Sequence, residues 1–452
     1  MTELRRNLGI IEAVALSLSI IAPTMAMAFN VTLAAGAAGQ AAPLAFAVGT
    51  VALAIVGLSF VAFSRRVAHA GSAYAYITAE FGPKAGFVAG WALMLTYLCY
   101  GTGTAALFGN FIDAGLADYH LAVPLLWIVM AIGAIGVAMM FAYKDMRLAA
   151  RLMLVLEAIS VLAIIVLGII VLDAVGAKGG LTSAPLTPDP KLGWSGIGYA
   201  IVFAVLSFAG FEGAATLGEE TANPRRAIPI AVFGTVILAG VFYVFASYVQ
   251  VVGFGVGHTK ALAADSAPLN TLALKFGSRG FATLLDLAAA ISAFSCTLGC
   301  LSAAARMLFS LGRAGLAPSV GVAHPTHGTP AAAVMAMGGL MMAGIVLWAP
   351  FIGSADYYGD MGTIGTLALI LVYMGVTIAE ATDAVRASRM IWAAFGLAGT
   401  VILLWPLYNS VYPVPAWPGN IWPYLVIAWL IAGLGLLAIR PAMGRVALAE
   451  IE

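Results

Sequence analysis

Runs of predominantly apolar residues, each about twenty long and so matched to the thickness of a bilayer core, follow one another along this chain. They centre near residues 22, 53, 98, 132, 162, 207, 241, 296, 340, 371, 399 and 430, with short polar or Gly/Pro-rich connections between them. Inside hydrocarbon every backbone N–H and C=O must find a partner within the protein, and a helix meets that demand within its own segment. The expected fold is therefore an all-α polytopic membrane protein with twelve transmembrane helices. Composition agrees: of 452 residues, 62% are hydrophobic and 9% charged, against about 25% charged in soluble domains, and mean hydropathy is +1.02. No polar stretch is long enough for a large soluble catalytic domain, a nucleic-acid-binding surface or a disordered chain. The net charge of +1 carries no information about partners.

The distribution of charge is more informative. With the N-terminus inside, sixteen of the 21 Lys and Arg residues fall in connections on the cytoplasmic side, among them Arg5, Arg6, Arg65, Arg225, Arg306, Arg386 and Arg440. Only Lys178, Lys191, Lys260, Lys275 and Arg279 fall outside. This positive-inside bias predicts a cell-membrane protein with both termini in the cytoplasm, and one span more or fewer would scramble it. The first apolar run, from Leu8 to about Ala35, is about twice the length of a signal-peptide core and reads as a retained helix. Cys99, Cys296 and Cys300 all lie in apolar stretches, where a thiol packs as a small hydrophobe. Gly86 and Gly90 have the spacing that lets helix backbones approach closely.

Two spans are interrupted. Span one carries Pro23 near mid-membrane, in Ser17-Leu-Ser-Ile-Ile-Ala-Pro23-Thr24-Met25-Ala26, and proline removes a helix hydrogen bond. Span six reads Ser207-Phe208-Ala209-Gly210-Phe211-Glu212-Gly213. Five helices separate the two breaks, and a five-helix unit repeated in tandem inserts upside down the second time. Matching breaks in inverted repeats are the mark of a transporter that holds its substrate between them. Either break alone reads as easily as a kink or a packing device.

Glu212 lies at mid-depth, where a carboxylate is costly and marks a functional path. Glu157, about two turns into span five, is either a second proton relay or a partner for a neighbouring hydroxyl. Glu12 and Asp286 are expected near an interface, where water solvates them. Span eight carries Ser292, Ser295, Thr297 and Ser302. Ser292 and Ser295 are a candidate sodium site with carbonyls freed by the first break, although such hydroxyls also bond back to their own helix.

From Gly218 to Ala231 the chain reads Gly-Glu-Glu-Thr-Ala-Asn-Pro-Arg-Arg-Ala-Ile-Pro-Ile-Ala, which resembles the signature that follows helix six in permeases of the amino acid-polyamine-organocation superfamily. Ala70-Gly-Ser-Ala-Tyr-Ala-Tyr76, Gly90-Trp91, Leu311-Gly-Arg-Ala-Gly-Leu-Ala-Pro318 and Thr329-Pro330 agree in order and spacing. The resemblance implies the LeuT-type fold, two inverted five-helix repeats plus two C-terminal helices. The first repeat would span 1–180, with helix one broken near 22–26. The second would span 181–385, with helix six broken near 207–212, and 386–452 would hold helices eleven, twelve and the tail.

It also implies alternating access, with a substrate carboxylate held by amides near Ala22, Thr24, Met25 and Ala26. The ammonium would lie near Ser207, Ala209 and Gly210, and Phe208 and Phe211 would line or gate the pocket. Exposed helix N-termini suit an anion and exposed carbonyls a cation. Glu212 matches the acidic position assigned to proton coupling in the family. Two departures stand out. Ala22-Pro23-Thr24 replaces a Gly-rich run, which leaves amine-only substrates open, and Ser160 falls where proton-coupled relatives carry a lysine.

The expected function is secondary active transport of an amino acid, proton-coupled or exchanging, with a polyamine or small-amine permease as the alternative and a membrane-embedded transferase as a remote one. The five histidines, His69, His120, His258, His324 and His327, fall in connections and offer no helical catalytic face. No Gly-x-x-x-x-Gly-Lys-Ser/Thr loop is present, so gradients rather than ATP would drive transport. No cofactor is expected, and the expected partners are the substrate, a proton or sodium ion and the lipid bilayer. Tyr97, Tyr100, Cys296 and Tyr373 are candidates for side-chain selectivity.

Overall fold

A computed structural model describes residues 21–65, 72–121, 123–144, 147–212, 223–313, 315–324 and 329–440, together with Val14, Ser17 and Leu18. Glu12, Gly213, His69, His327, the Gly218–Ala222 part of the signature and the Ala70-Gly71 start of its companion motif lie outside the described residues. Regular structure among the described residues is helical. Ten segments are long and apolar enough to cross a membrane, and the shorter Gly193–Phe208 is apolar too.

The first of these segments, Pro23–Ser64, is itself two helices, α1 (Pro23–Ala38) and α2 (Ala42–Ser64), joined by a single 3-10 turn. Then come α3 (Ser72–Phe81), α4 (Pro83–Ala117), α5 (Leu126–Lys144), α6 (Arg147–Gly176) and α7 (Gly193–Phe208). They are followed by α8 (Pro224–Phe254), α9 (Pro268–Phe276), α10 (Arg279–Arg313), α11 (Ala331–Trp348), α12 (Ser354–Arg386), α13 (Met390–Asn409) and α14 (Trp422–Ile439). Pro at the first or second position of α1, α2, α4, α8, α9 and α14 suits a turn whose N–H groups lack intrahelical partners anyway.

α4 packs along α10 and α12, α2 along α8, and α1 against α7. Small residues permit these approaches. A Cβ on Gly109 of α4 would collide with the backbone of Trp127 at the start of α5, and one on Gly86 would fall on the Thr78 hydroxyl. The buried faces of α1, α2, α7 and α8 form one continuous apolar core, whereas α13 and α14 expose many of their large apolar side chains, as helices facing lipid would. α1 and α7 are thus central, with their broken ends inside the protein.

Asp286 departs from expectation. It is buried, and its carboxylate is held by Asn270 Nδ2 at 2.5 Å, while the same amide nitrogen lies 2.9 Å from Asp118 Oδ2. Packing of α9 across α10 supplies the polar partner that water would otherwise supply. Asn270, sixteen positions before Asp286 in the chain, gave no local signal of that pairing.

Candidate functional site

The first break sits one residue before the proline. Ala22 has φ 49° and ψ 61°, a left-handed conformation costing an L-residue about 1–2 kcal/mol. The ring of Pro23 disfavours the helical region for the residue before it, and complete burial of Ala22 holds the chain there. The second break begins at Ala209, where ψ swings to 123°. Gly210 follows at φ 103°, which only glycine adopts without strain. Phe211 and Glu212 then enter a 3-10 turn.

A small cavity lies between the breaks. Ile21, Met25, Ala26 and Asn30 line it from the first span, and Leu206, Ala209, Gly210 and Glu212 from the sixth. The remaining walls are Thr96, Tyr97, Tyr100 and Thr104 of α4, Cys296 and Cys300 of α10, and Tyr358 and Leu369 of α12. Glu212 is the one charged side chain among these lining residues. It is buried, and Tyr373 Oη donates to its Oε2 at 2.8 Å. Tyr373 in turn packs edge-on against Phe60 and Phe211, with ring centres 5.5 and 5.4 Å away.

A second network ties four helices, α1, α7, α8 and α12, together beside the cavity. Asn30 Nδ2 donates to Ser207 Oγ at 2.7 Å and Tyr358 Oη donates to Asn30 Oδ1 at 2.7 Å. Ser207 Oγ donates to the Phe203 carbonyl, and the Ser207 carbonyl accepts from Tyr243 Oη at 2.7 Å. Ser207 is thereby engaged within the framework and does not face the cavity. Phe208 and Phe211 are also fully buried away from the lining, Phe208 against Tyr243 and Phe211 between Phe60 and Tyr373.

The amides at the first break are already paired. Ala22 N–H closes onto the Leu18 carbonyl at 3.1 Å and Ala26 N–H onto the Ala22 carbonyl at 3.0 Å. Thr24 N–H donates to Glu157 Oε1 of α6 at 2.7 Å, and Met25 N–H to Ser292 Oγ of α10 at 3.1 Å. The expected open cradle at Ala22, Thr24, Met25 and Ala26 is therefore filled by the chain itself. Glu157 pairs with the Thr24 amide, and the Ser292 hydroxyl lies beside the same carboxylate. Ser295 is half-buried on α10. Thr297 turns toward α4, 2.9 Å from Thr104 Oγ1.

Of the four selectivity candidates, Tyr97, Tyr100 and Cys296 line the cavity and Tyr373 holds Glu212. Sequence reasoning missed Asn30, Thr96, Thr104, Cys300 and Tyr358. Asn30 had a usable signal, an amide side chain two turns beyond a break in an otherwise apolar span.

The amino acid permease family model matches residues 13–444. The low-affinity putrescine importer PlaP of Escherichia coli K12 is 27% identical over 362 residues, covering 76% of this chain and 75% of the relative. The methylthioribose transporter of Bacillus subtilis 168 is 24% identical over 448 residues, 95% and 92% of the two chains. The branched-chain amino acid permease BcaP of the same organism is 26% identical over 403 residues, 83% and 81%. These relatives carry different solutes in their names and share transport. With two broken spans around a buried cavity and a family match along nearly its whole length, the chain is a multi-pass membrane protein that belongs to the amino acid permease family of the amino acid-polyamine-organocation superfamily.

Proposed function

We propose that this permease is a secondary active transporter of an amino acid or small amine, working by alternating access around the cavity between Ala22 and Gly210. The observation that carries this reading is a carboxylate, Glu212, facing a largely apolar buried cavity at a helix break. Binding there is available from either side once one half of the molecule rocks against the other.

Counting α1 and α2 separately and adding α7 gives twelve spans, arranged as inverted repeats at 1–180 and 181–385 with 386–452 appended. Several contacts support this arrangement. Four pairs, α1 and α7, α2 and α8, α4 and α10, and α5 and α11, are each in direct contact, which fits a two-fold axis running between the proposed repeats. A short helix precedes α4 and another precedes α10, and both end in Phe-Gly, at Phe81-Gly82 and Phe276-Gly277. Both termini are proposed to lie in the cytoplasm.

Coupling is assigned to a proton on Glu212. Glu157 is engaged by Thr24 N–H, which favours a fixed role over a relay, and the Ser292 oxygen is occupied by Met25 N–H, which argues against sodium at Ser292 and Ser295. Uptake into proteoliposomes with and without an inward proton gradient tests the proposal. Saturable, gradient-stimulated uptake is expected, with Glu212→Gln losing the pH dependence. An unchanged pH profile in Glu212→Gln would contradict the assignment.

A further inference from the structure

The first turn of a helix leaves N–H groups without intrahelical partners, and these amides attract an anion. At α1 the complete inventory is known. Pro23 has no N–H, Thr24 gives its N–H to Glu157, Met25 gives its to Ser292, and Ala26 is bonded to Ala22. The anion at this helix terminus is thus a side chain from α6, 133 residues away in sequence. Ser292, having accepted from Met25, has its own proton next to the same carboxylate. Glu157 is buried, and no Lys or Arg pairs with it among the described residues.

The rest of the cavity points the same way. Its one charged lining group is the carboxylate of Glu212, and three tyrosine rings, Tyr97, Tyr100 and Tyr358, face it. A carboxylate together with aromatic faces suits an organic cation. An incoming carboxylate would find no open amide at α1, no basic side chain, and Glu212 opposing it.

We infer that Glu157 fills, as part of the chain, the position that an amino acid's carboxylate would need, so that the cavity takes organic ammonium ions lacking a carboxylate. This rests on the transporter reading above and names its substrate class. Glu157 is then the residue that determines specificity at the first break, and Glu212 the anchor for the ammonium group.

Matched pairs of ligands test this, each pair differing by one carboxylate: isoamylamine against leucine, and putrescine against ornithine. Ligand-dependent thermal stabilisation of the detergent-purified protein reports binding, because a ligand for the folded state raises its apparent stability. In the wild type an amine should stabilise at concentrations at least tenfold below its amino acid partner. Glu157→Ala opens the Thr24 amide and should improve amino acid binding at least tenfold. Glu157→Gln keeps an acceptor oxygen on that amide and should retain the preference for amines, which separates the filled cradle from mere loss of a charge or of stability. Wild-type protein that binds leucine or ornithine as well as the amine overturns the inference and leaves the transporter reading intact. If none of the four ligands stabilises any of the three proteins, the transporter reading fails and the inference fails with it.

Discussion

At the residue scale the site is a set of polar atoms whose partners come from distant parts of the chain. The break of span six was legible because two glycines flank a carboxylate in an apolar run, a pattern with few other uses in a membrane helix. The break of span one was legible from Pro23, although the distorted residue is Ala22, as proline's steric effect on its predecessor requires. The partner of Glu157 was not legible, since nothing near it in sequence indicates that a main-chain amide of α1 will meet it. Two substitutions probe these residues. Ala22→Gly should be tolerated, whereas Ala22→Val, with a branched side chain forced into left-handed backbone, should destabilise by about 2 kcal/mol, read as a lowered unfolding midpoint. Tyr373→Phe removes the hydrogen bond to Glu212. A bond to a charged group is worth about 1.5 kcal/mol or more, so substrate affinity should fall about tenfold with little change in folding, checked by a binding titration.

At the scale of elements, the cavity depends on how closely α12 lies on α4. A Cβ on Gly365 would stand 2.6 Å from Cε1 of Tyr100, whose ring lines the cavity and whose hydroxyl lies 2.8 Å from Thr366 Oγ1. Helix backbones meet here because glycine removes the side chain between them. Gly365→Ala should therefore push the Tyr100 ring toward the substrate, at an overpacking cost of about 1–3 kcal/mol. Transport of the bulkier member of a substrate series should suffer more than that of the smaller, which competition with amines of increasing length would reveal. The polytopic, helical character of the chain could be read from hydropathy. The burial of Asp286 could not, because its solvation is replaced by Asn270 on α9, a short helix that lies over α10 without itself crossing a membrane.

At the scale of the whole molecule, α1 packs against α7 and α2 along α8, and the two breaks face a common cavity. The proposed alternating access implies that the cavity wall is reached from water in some part of the cycle. Cys296 and Cys300 line the cavity and are buried in the conformation described. In a Cys99→Ala background, a small cationic thiol reagent should modify Cys296 slowly, and a transported amine should change that rate at least severalfold. A rate unaffected by any substrate would leave no room for a moving barrier at this position.

Counterflow is the most direct test that this cavity carries an organic amine across the membrane. Proteoliposomes are preloaded with unlabelled isoamylamine or putrescine and diluted into trace labelled amine, which removes any need to know the coupling ion. Transient, saturable accumulation of label is predicted, lost in Gly210→Val, whose branched side chain cannot adopt φ 103° and would fill the gap between the broken helices. Absence of saturable accumulation for either amine, from protein shown to be folded, would contradict it.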